Sequence, residues 1–225
     1  MLREHILNPE LCSVKNIQGF SSSNILCVNP IEIYGAKITA LLTRAAARDL
    51  YDVNNMIKSK MFSSNDLAFL RKCVIFYKVL NSEEAFNKFD MSALDKITFS
   101  KIRADLLPVI ASSEKKYDLP GTISFVKEHL SKILTMTPNE IEFVEKYFLK
   151  DYCPELLFSS EEICSRLRKH PMVKWKYSKM VSQSSIADKP SVLAEIKSIK
   201  AEQQAQDKPE RSHQRSKTKS NDREI

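Results

Sequence analysis

Between positions 30 and 58 the apolar residues Ile33, Tyr34, Ile38, Leu41, Leu42, Ala45, Leu50, Tyr51 and Val53 recur at helical spacing. One helix is therefore expected over 30–58. Asn29 is its N-cap candidate, Pro30 suits a first turn whose N–H groups have no helical partner, and Glu32 falls at the positive end of the helix dipole. The same periodicity predicts helices over 64–80, 82–87, 99–110, 122–134, 137–148 and 159–169. Thr137 to Glu140 has the form of a capping box with Pro138 at the first helical position, while Pro108 and Pro120 are expected to mark breaks. Residues 1–7 and 25–28 are short apolar-rich runs separated by Asn, Gly and a Ser21-Ser22-Ser23 turn signal, and they read as strands. The expected fold is mainly α, a helical bundle preceded by a short β segment.

Aromatic positions belong to this pattern. Phe69, Phe76, Tyr77, Phe143, Tyr147 and Phe148 lie at core spacing, so packing is the simpler reading than base stacking. Trp175, beside Lys174, Lys176 and Arg168, is open to two readings: packing of a terminal helix, or an indole that stacks on nucleic acid.

The composition narrows the class. At 225 residues the chain can bury one sizeable core. The five cysteines, Cys12, Cys27, Cys73, Cys153 and Cys164, are odd in number and lack C-x-x-C spacing, so they read as reduced core thiols of a cytoplasmic protein. No leader pattern and no membrane-length apolar run is visible. His5, His129, His170 and His213 have no partners at metal-ligand spacing, so no metal ligand is assigned. From Ser178 onward the composition shifts. Val192, Leu193, Ile196 and Ile199 fit one amphipathic helix over 190–206, and 207–224 holds no large apolar residue, so a disordered basic tail is expected there. The whole chain carries a formal net charge of +7, and such a tail can attract RNA or DNA in a salt-dependent way, although solvation is the commoner explanation of a basic tail.

One cluster stands out chemically. Arg44, Arg48, Asp49 and Asp52 crowd onto a segment that otherwise reads as a buried helix. Charges beside an apolar face must pair, bind a charged ligand or edge a cleft. In one continuous helix Lys37, Arg44 and Arg48 would share nearly one face, and Asp52 would follow Arg48 by one turn. The plain alternative is a surface ion pair worth about 0.3–0.5 kcal/mol.

The run from Glu32 through Gly35-Ala36-Lys37 to Leu42, followed by Arg44 and Arg48-Asp49-Leu50-Tyr51-Asp52, resembles the region after the catalytic core of AbiEii/AbiGii nucleotidyltransferases. These are abortive-infection toxins of type IV toxin–antitoxin systems within the polymerase-beta-like superfamily. Tyr152, Pro154-Glu155-Leu156-Leu157-Phe158, His170-Pro171-Met172 and Lys174-Trp175-Lys176 resemble the family's closing motifs in the same order. The resemblance covers about residues 1–177. It implies that Lys37, Arg44 and Arg48 border the active-site cleft as nucleotide-binding residues, with Lys37 on the phosphates, and that Asp49 and Asp52 act in support, orienting Lys37 or its neighbours. The competing reading for both acids is a helix ion pair that fixes Arg44 and Arg48.

The resemblance also implies magnesium and a nucleoside triphosphate, with tRNA the acceptor class. In the family a Gly-Ser turn and an Asp-x-Asp pair hold the magnesium nucleotide. This chain has neither; its glycines are Gly19, Gly35 and Gly121. The family's third acid would precede a segment like residues 2–7, so Met1 is expected to be an internal start or the edge of a truncated gene. Nucleotidyl transfer depends on positioning and on metal-borne charge, so the chain alone is expected to be inactive. Glu4, beside Arg3, reads as a surface ion pair rather than a substitute acid. The expected domains are residual strands of the nucleotidyltransferase α+β core at 1–29, a helical domain at 30–177, and a linker helix with basic tail at 178–225. Two functions remain in view: the C-terminal part of such a toxin, completed by a separately encoded N-terminal fragment, or a non-enzymatic helical module that binds an antitoxin partner or nucleic acid.

Overall fold

The computed structural model describes residues 5–14, 23–111 and 116–187, with side chains described as far as Lys179. The chain divides into two compact units, Met1–Ser178 and Lys179–Ile225. The first carries everything described below except the end of its last helix. The expected helix at 190–206 and the expected disordered tail lie outside the described residues.

The first unit opens with a hairpin of two antiparallel strands, β1 (Glu10–Val14) and β2 (Ser23–Cys27). Leu11 faces Leu26 across it, and the two are 68% and 66% exposed. The strand expected over 1–7 does not form at 5–7. The backbone N–H groups of Ile6 and Leu7 both donate to the Glu32 carboxylate at 2.9 Å, so they have no strand partner to seek.

Asn29 caps helix α1 (Pro30–Arg44) by accepting from the Ile31 N–H at 2.9 Å, with Pro30 in the first turn, as its sequence predicts. The helix expected to run on to position 58 stops at Arg44. Ala45 takes a left-handed conformation with φ 49° and Ala46 an extended one, and α2 (Ala47–Ser59) starts afresh. Nothing in Ala45-Ala46-Ala47 signals a break, because alanine is the best of helix formers. A left-handed alanine costs about 1–2 kcal/mol.

Helix α3 (Ser64–Asn81) is the central element. Cys73, Val74, Ile75, Phe76 and Tyr77 are buried in succession, which an amphipathic surface helix would not allow. On one side it packs on α1, where a Cβ added at Gly35 would lie 2.7 Å from the Cys73 Cβ, so only glycine permits the close approach. Ile38, Leu41, Leu50, Val53, Leu70, Val74, Val126 and Leu130 join one core here. It includes α2 and α5 (Leu119–Ile133). A 3-10 turn (Ser92–Lys96) and a short helix α4 (Phe99–Lys101), which continues as a π-helical stretch (Ile102–Leu106), close its edge. On another side α3 meets α6 (Pro138–Phe148), and both carboxylate oxygens of Glu140 accept from Arg71 Nε at 2.9 and 3.0 Å. A 3-10 turn (Pro154–Leu156), α7 (Glu161–Lys169) and α8 (Pro171–Ala187) follow.

The chain is thus mainly helical with a small β-hairpin, as expected. Four local expectations change. No helix forms over 82–87, since Ser82 is extended and ends α3. Pro120 starts α5 rather than breaking the chain. Phe69 is 42% exposed and Trp175 49%, so neither is a core residue. Cys73 and Cys164 are buried free thiols, whereas Cys12, Cys27 and Cys153 are only half-buried. No described helix is long and apolar enough to cross a membrane.

Candidate functional site

Glu32 is 3% exposed in the first turn of α1, on the same face as Gly35, Thr39 and Leu42. A buried carboxylate needs donors to replace lost water. It accepts from Ile6 N–H, Leu7 N–H and, at 2.6 Å, the Tyr77 hydroxyl of α3. His5 Nδ1 lies 3.8 Å from it. This carboxylate therefore fastens the segment before β1 to the two central helices. Burial, and secondarily the Glu32 charge, push the Cys73 thiol well above its ordinary value, so that cysteine is an inert packing group.

The break after Arg44 makes two further contacts possible. In a continuous helix Lys37 and Asp52, fifteen positions apart, would be separated by roughly 22 Å. With α2 folded back, the Lys37 ammonium donates to Asp52 Oδ2. Arg44 and Asp49 are five apart, which on one helix points them to different faces. Across the break they form a bidentate pair, Nε to Oδ2 at 2.7 Å and Nη2 to Oδ1 at 2.9 Å. Asp49 is almost buried, and its hydrogen bonds and charge hold the Arg44 guanidinium pKa above its ordinary value.

Lys37, Arg44 and Asp49 line one open cavity of about 380 Å³ together with His5, Glu32 and Tyr77. Asp52 pairs with Lys37 and is not part of the cavity wall. Arg48 does not join them: its Nε donates to the Asp105 carbonyl at 2.9 Å, on the π-helical stretch. The shared face expected for Lys37, Arg44 and Arg48 is thus corrected by the left-handed turn at Ala45, and Asp52 pairs with Lys37 rather than with Arg48. Sequence reasoning missed His5, Glu32 and Tyr77 as members of this cavity. The available signal was Glu32 at i, Gly35 at i+3, Thr39 at i+7 and Leu42 at i+10, which puts an acid in line with a buried face.

Chemically, this wall offers hydrogen-bond donors to an anion. Lys37 uses one of the three ammonium hydrogens on Asp52, and Arg44 uses two of five guanidinium hydrogens on Asp49, so both keep donors for phosphate oxygens. A magnesium ion does not fit the same residues. Glu32 is engaged by three donors, Asp49 by a guanidinium on both oxygens, and Asp52 by Lys37. Hard cations need several carboxylate oxygens free to converge. Among the described residues no cluster of three His, Cys, Asp or Glu side chains could hold a metal.

The structure thus joins a helical body to one open cavity whose wall carries the paired cations Lys37 and Arg44. The family described as nucleotidyl transferase AbiEii toxin, type IV TA system, matches residues 1–118, which include every residue of this cavity. The chain belongs to that family, and so to the nucleotidyltransferase toxins of type IV toxin–antitoxin systems. The resemblance of residues 152–176 to closing motifs lies outside the matched span. No curated protein and no solved structure matches the chain.

Proposed function

We propose that this chain is the phosphate-facing helical part of an AbiEii nucleotidyltransferase toxin, which transfers nucleotides from a nucleoside triphosphate to an RNA acceptor of the tRNA class in the cytoplasm. The observation that carries this reading is the convergence of Lys37, Arg44 and Asp49 on one cavity, across a helix break that their motif spans. Lys37 and Arg44 would hold the triphosphate. Asp52 and Asp49 position them, each fixing the cation that it meets. Arg48, held on the Asp105 carbonyl, is not assigned to the triphosphate.

The residues of the cavity leave no carboxylate free for magnesium, and the chain contains no Gly-Ser and no Asp-x-Asp. In this reading the metal-holding acids come from polypeptide outside these 225 residues, and the chain by itself is inactive. Residues 1–29 would be the edge of the completed core, residues 30–177 its helical partner, and 178–225 an appended basic tail.

Titration of the full chain with inorganic tripolyphosphate tests the phosphate reading. Saturable binding that weakens at least tenfold in Lys37→Ala and in Arg44→Ala supports it. Equal binding by all three proteins overturns it.

The second reading, a non-enzymatic module that docks an antitoxin, is favoured by one observation: the facing pair Leu11 and Leu26, both largely exposed on the hairpin. Under it, tripolyphosphate would bind no better than another salt.

A further inference from the structure

At the C-terminal end of α2 lies a separate hollow of about 380 Å³, which is within the size range of small-molecule sites. It shares no lining residue with the cavity of Lys37 and Arg44. Its floor is apolar: the last turn of α2 supplies Met56 and Ile57, the turn that follows supplies Phe62, α3 supplies Leu67 and α5 supplies Ile133. Met56 is buried, and Phe62 is held edge-on against Tyr34 of α1 with ring centroids 5.8 Å apart. Met61, also in the lining, stands 47% exposed. The remaining lining residues, Lys60, His129 and Lys132, are all basic, and no acid among the described residues joins them.

The three basic groups are committed to different degrees. His129 donates its Nδ1–H to the Phe125 carbonyl at 2.9 Å and lies against the Phe125 ring, so it serves as wall. Lys132 gives one ammonium hydrogen to Glu128, one turn back on α5, at 2.7 Å and keeps two. Lys60 has no ion pair among the described residues. It also occupies the left-handed cap of α2 with φ 49°, a conformation that favours glycine. A lysine kept in that conformation beside an apolar hollow points to a use for its ammonium. A small inorganic anion would leave the apolar floor uncovered, and a neutral hydrocarbon would make no use of the two lysines. We propose that this hollow binds an amphipathic carboxylate, with the hydrocarbon body on the floor and the head group on Lys60 and Lys132. The site stands independently of the phosphate-facing reading above.

Titration of the full chain with decanoate, decanol and decyltrimethylammonium, followed by NMR of isotope-labelled methionine methyl groups, tests the proposal. Decanoate is expected to saturate one site, to shift the Met56 and Met61 signals before those of other methionines, and to bind roughly tenfold or more tightly than the alcohol or the cation. Lys60→Gly suits the left-handed cap, so folding is not at stake. It should bring decanoate down toward decanol while leaving decanol binding unchanged, and Lys60→Arg should retain most of the preference. Lys132→Gln, at an exposed helical position, should act in the same direction as Lys60→Gly. Three ligands that bind alike, shifts confined to other methionines, or no binding at all would overturn the proposal. So would decanoate binding that survives undiminished in both Lys60→Gly and Lys132→Gln.

Discussion

Lys37 of α1 donates to Asp52 of α2, although a straight helix would hold the two residues more than 20 Å apart. The contact exists because Ala45 turns left-handed, and the same turn brings Arg44 onto Asp49. Ala45→Gly should therefore be tolerated, with stability unchanged or raised by about 0.5 kcal/mol, since glycine relieves the strain while adding unfolded-state freedom. Ala45→Val should cost about 2 kcal/mol or more, because a β-branched residue does not accept that φ. Urea unfolding of the two variants checks both values. A valine variant as stable as the parent would show that the break is not strained.

Glu32 carries three hydrogen bonds while almost wholly buried. Glu32→Ala removes the acceptor shared by two backbone N–H groups and the Tyr77 hydroxyl, and should cost about 3 kcal/mol. Amide exchange at Ile6 and Leu7 should speed up well before the helices loosen. Tyr77→Phe removes one donor and is expected to cost only about 1 kcal/mol.

Glu140 does two jobs at once. It closes the capping box with Thr137, and it receives Arg71 with a side chain that is 2% exposed. Glu140→Ala leaves a largely buried guanidinium without its partner and should cost about 3–5 kcal/mol. Thr137→Ala, which removes the cap alone, should cost about 1 kcal/mol. Chemical denaturation of the two variants separates the roles, and equal losses would show that Arg71 adds nothing.

Tyr147, Tyr152 and Tyr177 meet edge-on or tilted, with centroids 5.2–5.9 Å apart. The Tyr147 and Tyr152 hydroxyls are buried with no hydrogen-bond partner among the described residues. Burial pushes all three phenols upward, Tyr177 to about 12. A raised folded pKa means that the neutral form is favoured in the fold. The associated stability is complete below the ordinary tyrosine value and is lost as pH rises from about 10 through the folded pKa values. Absorbance titration should show part of the tyrosine signal appearing only as the protein unfolds in alkali. Tyr147→Phe should be neutral or slightly stabilising at pH 7, since no bond is lost.

The helical character, the Asn29 cap and the Thr137–Glu140 box were legible because each rests on local chemistry within a few positions. The break at Ala45 was not, because three alanines carry no stop signal and the turn is repaid by contacts between residues up to fifteen positions apart. Glu32 and Glu140 show the same limit from another side. Their helix-terminal positions were readable, but their partners Ile6, Leu7, Tyr77 and Arg71 come from other parts of the fold. Of the cavity, the motif supplied Lys37, Arg44 and Asp49, and only tertiary structure could separate Arg48 from them.

Under the proposed function these residues face a nucleoside triphosphate, and the metal-holding acids lie elsewhere. Magnesium-dependent incorporation of labelled nucleoside triphosphates into total RNA tests it, using this chain alone and mixed with a polypeptide bearing the family's Gly-Ser and Asp-x-Asp elements. Incorporation only by the mixture, and its loss with Lys37→Ala, is the predicted result. Incorporation by this chain alone would contradict the account, because these carboxylates are already engaged.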